Sequence, residues 1–140
     1  MIVIDACVAV KWFLGEADSE AALTLLEDNA GAISVPALFA VEVAAALVRN
    51  GNIHKHATDA MRESLYSFSE LMAGERLATV DTTPAALLAA SELALELGHP
   101  LKDCLYLALA MQLECPLATA DHRFALKART AWSEVRLLAA

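Results

Sequence analysis

The chain has 140 residues and a formal net charge of −8, with 18 acidic side chains against 10 basic ones. A hydrophobic fraction of 58% and a charged fraction of 20% exclude a disordered chain, and the length suits one domain over residues 1–140 with a core of its own. The longest apolar run, Cys104 to Met111, is too short for a bilayer, and the start MIVIDACVAVKW lacks a signal peptide's basic region, so the expectation is a soluble, cytoplasmic protein without membrane contact.

The first strand is expected at Met1 to Ile4, a short apolar run that ends at Asp5. A helix over Ala6 to Leu14 follows, closed by Gly15. Ser19 suits the cap of a second helix with Ala22, Leu23 and Leu26 on one face, ended by Gly31. Ala32 to Val35 reads as the second strand, and Pro36 opens a third helix over Ala37 to Asn50, closed by Gly51. Met61, Leu65, Phe68, Leu71 and Met72 recur at helical spacing in a fourth helix over His56 to Met72, stopped by Gly74; core packing is the reading for most of them. Leu77 to Val80 is the third strand. Thr83-Pro84 starts a helix that runs to Leu97 and ends at Gly98. His99 reads as a turn residue before Pro100. A helix over Lys102 to Leu113, a strand over Leu117 to Ala120, a helix over Asp121 to Arg129 and a strand over Val135 to Leu138 complete the chain.

Short apolar strands alternating with helices imply a three-layer α/β/α fold, with a central parallel sheet of four to five strands covered on both faces. Sites in such sheets form at the carboxyl ends of the strands. Asp5 ends the first strand and Asp121 follows the fourth, so both belong to that edge. Asp103 opens a helix that can lean into the same crevice. Glu42 is the only charge in the run Leu38 to Val48, with no basic residue one turn away on either side. A buried carboxylate there is costly unless it meets a cation or several hydrogen-bond donors. Each acid also has a plain structural reading: Asp5 as a strand-end turn residue, Asp103 and Asp121 as helix N-caps, Glu42 on a solvent face. Four carboxylates converging on one edge repel unless they share a divalent cation, and hard oxygen ligands suit Mg2+ or Mn2+.

The ordered set MIVIDACVAVKWF, the helix with Glu42, HPLKDCLYLALA and LATADHRF resembles the PIN-domain ribonucleases, and among them the VapC toxins of toxin–antitoxin pairs. The resemblance covers essentially the whole chain. It implies a metal site of Asp5, Glu42, Asp103 and Asp121, with the Thr119 hydroxyl in support. It also implies an endoribonuclease that uses Mg2+ or Mn2+, homodimerisation, and neutralisation by a small antitoxin whose tail enters the groove. Two positions depart from the family pattern: Cys7 stands where Ser or Thr is frequent, and Lys102 where an aromatic residue is frequent.

Lys11, Lys102, Arg123, Lys127 and Arg129 lie within a few residues of the proposed ligands and are candidates for RNA phosphate contacts; Arg123 and Lys127 share a helix face by spacing. Cys7, Cys104 and Cys115 form no metal or disulfide pattern and read as buried small hydrophobes. His54 and His56 read as a solvated loop, and His122 as a helix-start surface residue. Trp12 and Phe13 belong either to the core or to a partner groove. Two other readings compete with the nuclease. One is a phosphoacceptor receiver-like module built on Asp5, Asp81 and Thr119, which leaves Glu42 and Asp103 unexplained. The other is a catalytically inactive PIN-like module that works by protein–protein binding.

Overall fold

The computed structural model describes residues 1–139. Five strands form one parallel sheet: β1 (Ile2–Ile4), β2 (Ile33–Pro36), β3 (Leu77–Val80), β4 (Leu117–Thr119) and β5 (Val135–Leu137). Seven helices flank it in an α/β/α arrangement: α1 (Ala6–Ala9), α2 (Ser19–Asp28), α3 (Leu38–Ile53), α4 (Thr58–Ala73), α5 (Pro84–Leu97), α6 (Leu101–Gln112) and α7 (His122–Ala128). β1, β2 and β4 are buried at every residue, as expected of apolar strands covered on both faces. In β3, which pairs only with β2, Ala78 and Thr79 are exposed.

The strand order is β3-β2-β1-β4-β5. The chain leaves β1 in one direction for β2 and β3, then returns to the other side of β1 for β4 and β5. The switch point therefore lies between β1 and β4, where Val3 pairs with Leu117 and Ile4 with Ala118. Ligand crevices in open α/β sheets form outside the carboxyl ends of the strands at such a point. This order also differs from the 2-1-3-4-5 order of receiver-type sheets, which removes the receiver-like reading. Asp81, which that reading used, is exposed after the edge strand β3.

Most elements follow the local signals. Helix α5 begins with the Thr83 hydroxyl accepting from the Ala86 N–H at 3.1 Å, has proline in its first turn, and ends at Gly98 in the left-handed conformation (φ 60°). Other boundaries move for tertiary reasons. Gly51 does not close α3, which continues to Ile53. A Cβ at Gly51 would lie 3.4 Å from Met61 Cβ, so the glycine serves the close approach of α3 to α4. The Thr58 hydroxyl, at the start of α4, donates to the Gly51 carbonyl at 3.1 Å. Ser19 is likewise not the cap of α2; its hydroxyl accepts from Glu16 N–H and donates to the Leu14 carbonyl, which folds the loop before the helix. The first helix is shorter than its apolar run suggests: α1 passes at Val10 into a single 3-10 turn. His56 belongs to another such turn, Lys55–Ala57, just ahead of α4.

The core is aliphatic, with Phe39, Tyr106 and Phe124 as its largest fully buried side chains. Trp12 tilts against Phe39 at 6.4 Å between ring centroids, and Phe13 meets Phe68 edge-on at 5.8 Å, so both aromatics pack inward. Met61 and Phe68 are buried, and Leu65, Leu71 and Met72 pack against the core, as the α4 stripe predicts. Among the described residues, no helix is long and apolar enough to cross a membrane.

Candidate metal centre

Asp5 stands at the end of β1 and at the N-cap position of α1, yet its side chain makes no cap hydrogen bond. It turns instead into the crevice beside β4. There Oδ2 accepts from the Thr119 hydroxyl at 2.8 Å and from the Cys7 thiol at 3.2 Å. The plain reading of Asp5 as a turn residue is thus replaced by a long-range one. The carboxyl is only 4% exposed. Burial pushes its pKa up to about 6, helped by the nearby Asp103 and Glu42 charges and opposed by the bonds from Thr119 and Cys7.

Thr119, fully buried at the end of β4, does two jobs: its hydroxyl donates to Asp5 and accepts from the Asp121 N–H at 3.2 Å. Asp121 is the N-cap of α7, where Oδ1 accepts from the Phe124 N–H at 3.1 Å. The helix-cap reading of Asp121 is therefore correct, and the cap engages one of its two carboxylate oxygens. Asp103 is not a cap. Pro100 occupies that position, and Asp103 lies in the first turn of α6.

Glu42 is half-buried on α3, and the Tyr106 hydroxyl on α6 donates to its Oε1 at 2.7 Å. Burial and the Glu42 carboxylate both push the phenol pKa upward, so Tyr106 remains a donor. Tyr106 is a contributor that sequence reasoning missed. Its signal was the spacing: three residues after Asp103 on one helix puts both on the same face.

His99 is the second residue missed. It is not a plain turn residue: its Nε2 lies 2.6 Å from Asp103 Oδ2, and its ring stacks on Phe124 with centroids 4.9 Å apart. One ligand atom from each of His99, Asp103 and Asp121 lies within 4.8 Å of the other two. Cys7 also departs from expectation. Cys104 and Cys115 are buried small hydrophobes, but Cys7 is a polar member of the site, accepting from Ala120 N–H at 3.3 Å. Burial, then the Asp5 charge, push its thiol up to about 12, so it stays protonated.

The candidate phosphate contacts divide. The Lys11 ammonium pairs with Glu16 at 2.5 Å and Asp18 at 3.0 Å. Lys127 donates to the Gly98 carbonyl at 2.9 Å. The Arg129 guanidinium donates to the Val135 carbonyl at 3.2 Å. Lys102 and Arg123 are exposed, next to Asp103 and two residues after Asp121. Among the described residues, no lysine or arginine lies within 4.0 Å of the carboxylates of Asp5, Glu42, Asp103 or Asp121. Oxygen donors gathered without a counter-charge fit a hard divalent cation.

The PIN-domain family model matches residues 2–130. No curated protein matches the chain. Among solved structures, a toxin–antitoxin complex from Klebsiella pneumoniae aligns with a TM-score of 0.66 and 16% identity, covering 99% of this chain and 98% of the other. Mycobacterium tuberculosis VapC20, described as a sarcin–ricin loop cleaving toxin, aligns with a TM-score of 0.72 and 12% identity over 90% of this chain and 94% of its own. VapBC2 from Rickettsia felis, bound to a DNA fragment from its promoter, aligns with a TM-score of 0.60 and 18% identity, covering 89% and 91% of the two chains. At these identities the likeness is one of fold.

Proposed function

Because the chain belongs to the PIN-domain family, we propose that it is a divalent-metal-dependent endoribonuclease and the toxin of a toxin–antitoxin pair. The observation that carries this reading is the charge arrangement at the β1–β4 switch point. Asp5 is buried beside Asp103 and Glu42 strongly enough to raise its pKa to about 6, and among the described residues no lysine or arginine pairs with any of the three. A fold has no need of such a cluster; a cation-binding site does.

Asp5, Glu42, Asp103 and Asp121 are the residues that would hold Mg2+ or Mn2+. When bound, the ion supplies activation of water and stabilisation of negative charge at a phosphodiester. The chain's own residues do the positioning. Thr119 holds Asp5 and the Asp121 backbone together, Tyr106 holds Glu42, and the α7 cap holds Asp121. Lys102 and Arg123, exposed beside the acids, are the basic residues best placed to meet RNA phosphates, ahead of Lys11 and Lys127, which have partners within the protein. Partnership with a small antitoxin, supported by the toxin–antitoxin character of the structural relatives, and assembly as a homodimer in the cytoplasm complete the reading.

The test is cleavage of total cellular RNA by purified, antitoxin-free protein with Mg2+ or Mn2+, with a chelator, and beside Asp103→Asn. Discrete fragments that require metal and vanish in the variant are expected. A folded, antitoxin-free sample that cuts nothing with either metal would leave the inactive binding module as the better reading.

A further inference from the structure

We infer that His99 is a positioning residue of the carboxylate site: its Nε2–H holds Asp103 in register with Asp121, tying helix α6 to helix α7. The inference rests on the metal-nuclease reading above and adds to it a residue outside the four acids.

Four observations carry it. First, the contact itself is short, 2.6 Å between His99 Nε2 and Asp103 Oδ2. A carboxylate accepts through its lone pairs, so the inferred bond is one in which the imidazole donates its Nε2–H. That nitrogen has no lone pair left for a cation. His99 therefore acts on Asp103 rather than as a ligand beside it, leaving the second carboxylate oxygen unengaged by the imidazole.

Second, the ring is held in place. It stacks on Phe124 of α7 at 4.9 Å with an interplanar angle of 21°, and the side chain is only 8% exposed. The turn that carries it is also fixed: Gly98 adopts φ 60°, and the ammonium of Lys127, again from α7, donates to its carbonyl at 2.9 Å.

Third, Nδ1 is buried and meets no hydrogen-bond partner among the described residues. Burying a polar atom unpaired is costly. A phenylalanine or leucine would fill the space against Phe124 without that cost. Packing thus does not account for an imidazole here. What the imidazole adds is the Nε2–H that reaches Asp103.

Fourth, the helix supplying Phe124 and Lys127 is the one that Asp121 caps through the Phe124 N–H. The chain of contacts Asp103–His99–Phe124–Asp121 closes a loop. Across it, one side-chain nitrogen or oxygen from each of His99, Asp103 and Asp121 lies within 4.8 Å of the other two. A hydrogen-bond partner behind a ligating carboxylate fixes its direction and tunes its affinity, and losing such a partner costs roughly 10–100-fold in metal affinity or activity.

Two substitutions separate positioning from packing. His99→Phe keeps the ring on Phe124 and removes the N–H. His99→Gln loses the ring, but its side-chain amide N–H extends to about where Nε2 sits. Mn2+ affinity, from electron paramagnetic resonance titration of the purified protein, is compared with kcat and KM on RNA, and thermal unfolding reports the fold. The expected result is a loss of roughly tenfold or more in Mn2+ affinity and in kcat for His99→Phe, with little change in KM, and recovery to within a few-fold of wild type in His99→Gln. In an Asp103→Asn background, His99→Phe should add almost nothing. The opposite ranking, His99→Phe like wild type and His99→Gln impaired, shows that the residue only packs and overturns the inference. If His99→Phe folds poorly, His99→Gln decides alone: a tenfold loss of Mn2+ affinity in that variant overturns the assignment. A wild-type protein that takes up no Mn2+ and cuts no RNA overturns the nuclease reading together with it; a wild type that does both, with His99→Phe equal to it, overturns the positioning role alone.

Discussion

Replacing Asp5 by asparagine should make the metal-free protein more stable and abolish its response to metal. Asp5 is 4% exposed, and burial raises its pKa from 3.8 to about 6. The folded state therefore binds this proton more tightly than the unfolded chain does. The stability linked to that proton is fully present below the unfolded value and is lost as pH rises through the folded one. The shift of about two pH units corresponds to about 3 kcal/mol lost above pH 6. Asparagine removes the charge but keeps an oxygen that can accept from Thr119, as Asp5 does at 2.8 Å. Its amide hydrogens need acceptors of their own, so the net gain expected near neutral pH is about 1–3 kcal/mol. For a chain of this size that raises Tm by roughly 3 °C per kcal/mol. The assay is thermal unfolding of both proteins in a chelator from about pH 4 to about pH 8, with the gap opening through that range. Saturating Mn2+ should then reverse the order, because an ion that binds the native wild type stabilises it by mass action and the variant has lost a ligand. An asparagine variant less stable than wild type at neutral pH in chelator, or a gap that does not change with pH, would refute the reasoning.

Asp121 carries a structural and a chemical role that two substitutions can separate. Asp121→Asn keeps an N-cap oxygen for the Phe124 N–H and should leave urea stability within about 0.5 kcal/mol of wild type, whereas Asp121→Ala should lose about 1 kcal/mol; RNA cleavage should be lost in both, and an active Asp121→Asn would remove Asp121 from the ligand set. Tyr106→Phe deletes the donor to Glu42, should cost about 1–3 kcal/mol in denaturant unfolding, and should lower metal-dependent cleavage; unchanged activity would mean that Glu42 needs no anchor.

The parts of this fold that were readable from sequence are those decided within a few residues. Helix α5 has the extent expected, because a threonine cap, a proline in the first turn and a glycine able to adopt φ 60° are all local devices. The end of β1 was readable for the same reason, and that of β4 to within one residue (Thr119 rather than Ala120), and with them the placement of Asp5 and Asp121 at one sheet edge. Gly51 misled because its role is decided by Met61 on the next helix. Lys11 lies six residues after Asp5 in sequence, but the loop returns Glu16 and Asp18 to its ammonium. Tyr106 offered only its spacing from Asp103, because the partner that gives it a role, Glu42, is 64 positions away. His99 required three separate facts: the left-handed turn at Gly98, the reach to Asp103, and a stacking partner supplied by α7.

Three polar groups at the β1–β4 edge, Asp5, Cys7 and His99, have in common that each is more expensive than the fold requires. Asp5 is a carboxyl buried well below the surface with its pKa raised, and its neighbours Asp103 and Glu42 add to that penalty. Cys7 is a half-buried thiol held protonated beside it. His99 leaves a ring nitrogen unpaired. Apolar residues or neutral isosteres at these positions would pack the same space at lower free-energy cost, so packing alone does not select them. These residues come from separated parts of the chain: the ends of β1 and β4, the first turn of α6, the body of α3 and the α5–α6 turn. Independent structural compromises would scatter over the molecule. Here they coincide at the one place where the strand order reverses, and a bound cation would relieve the carboxylate repulsion at a single stroke. That coincidence, more than any one acid, is the argument for reading these carboxylates as the proposed cation site rather than as surface charge.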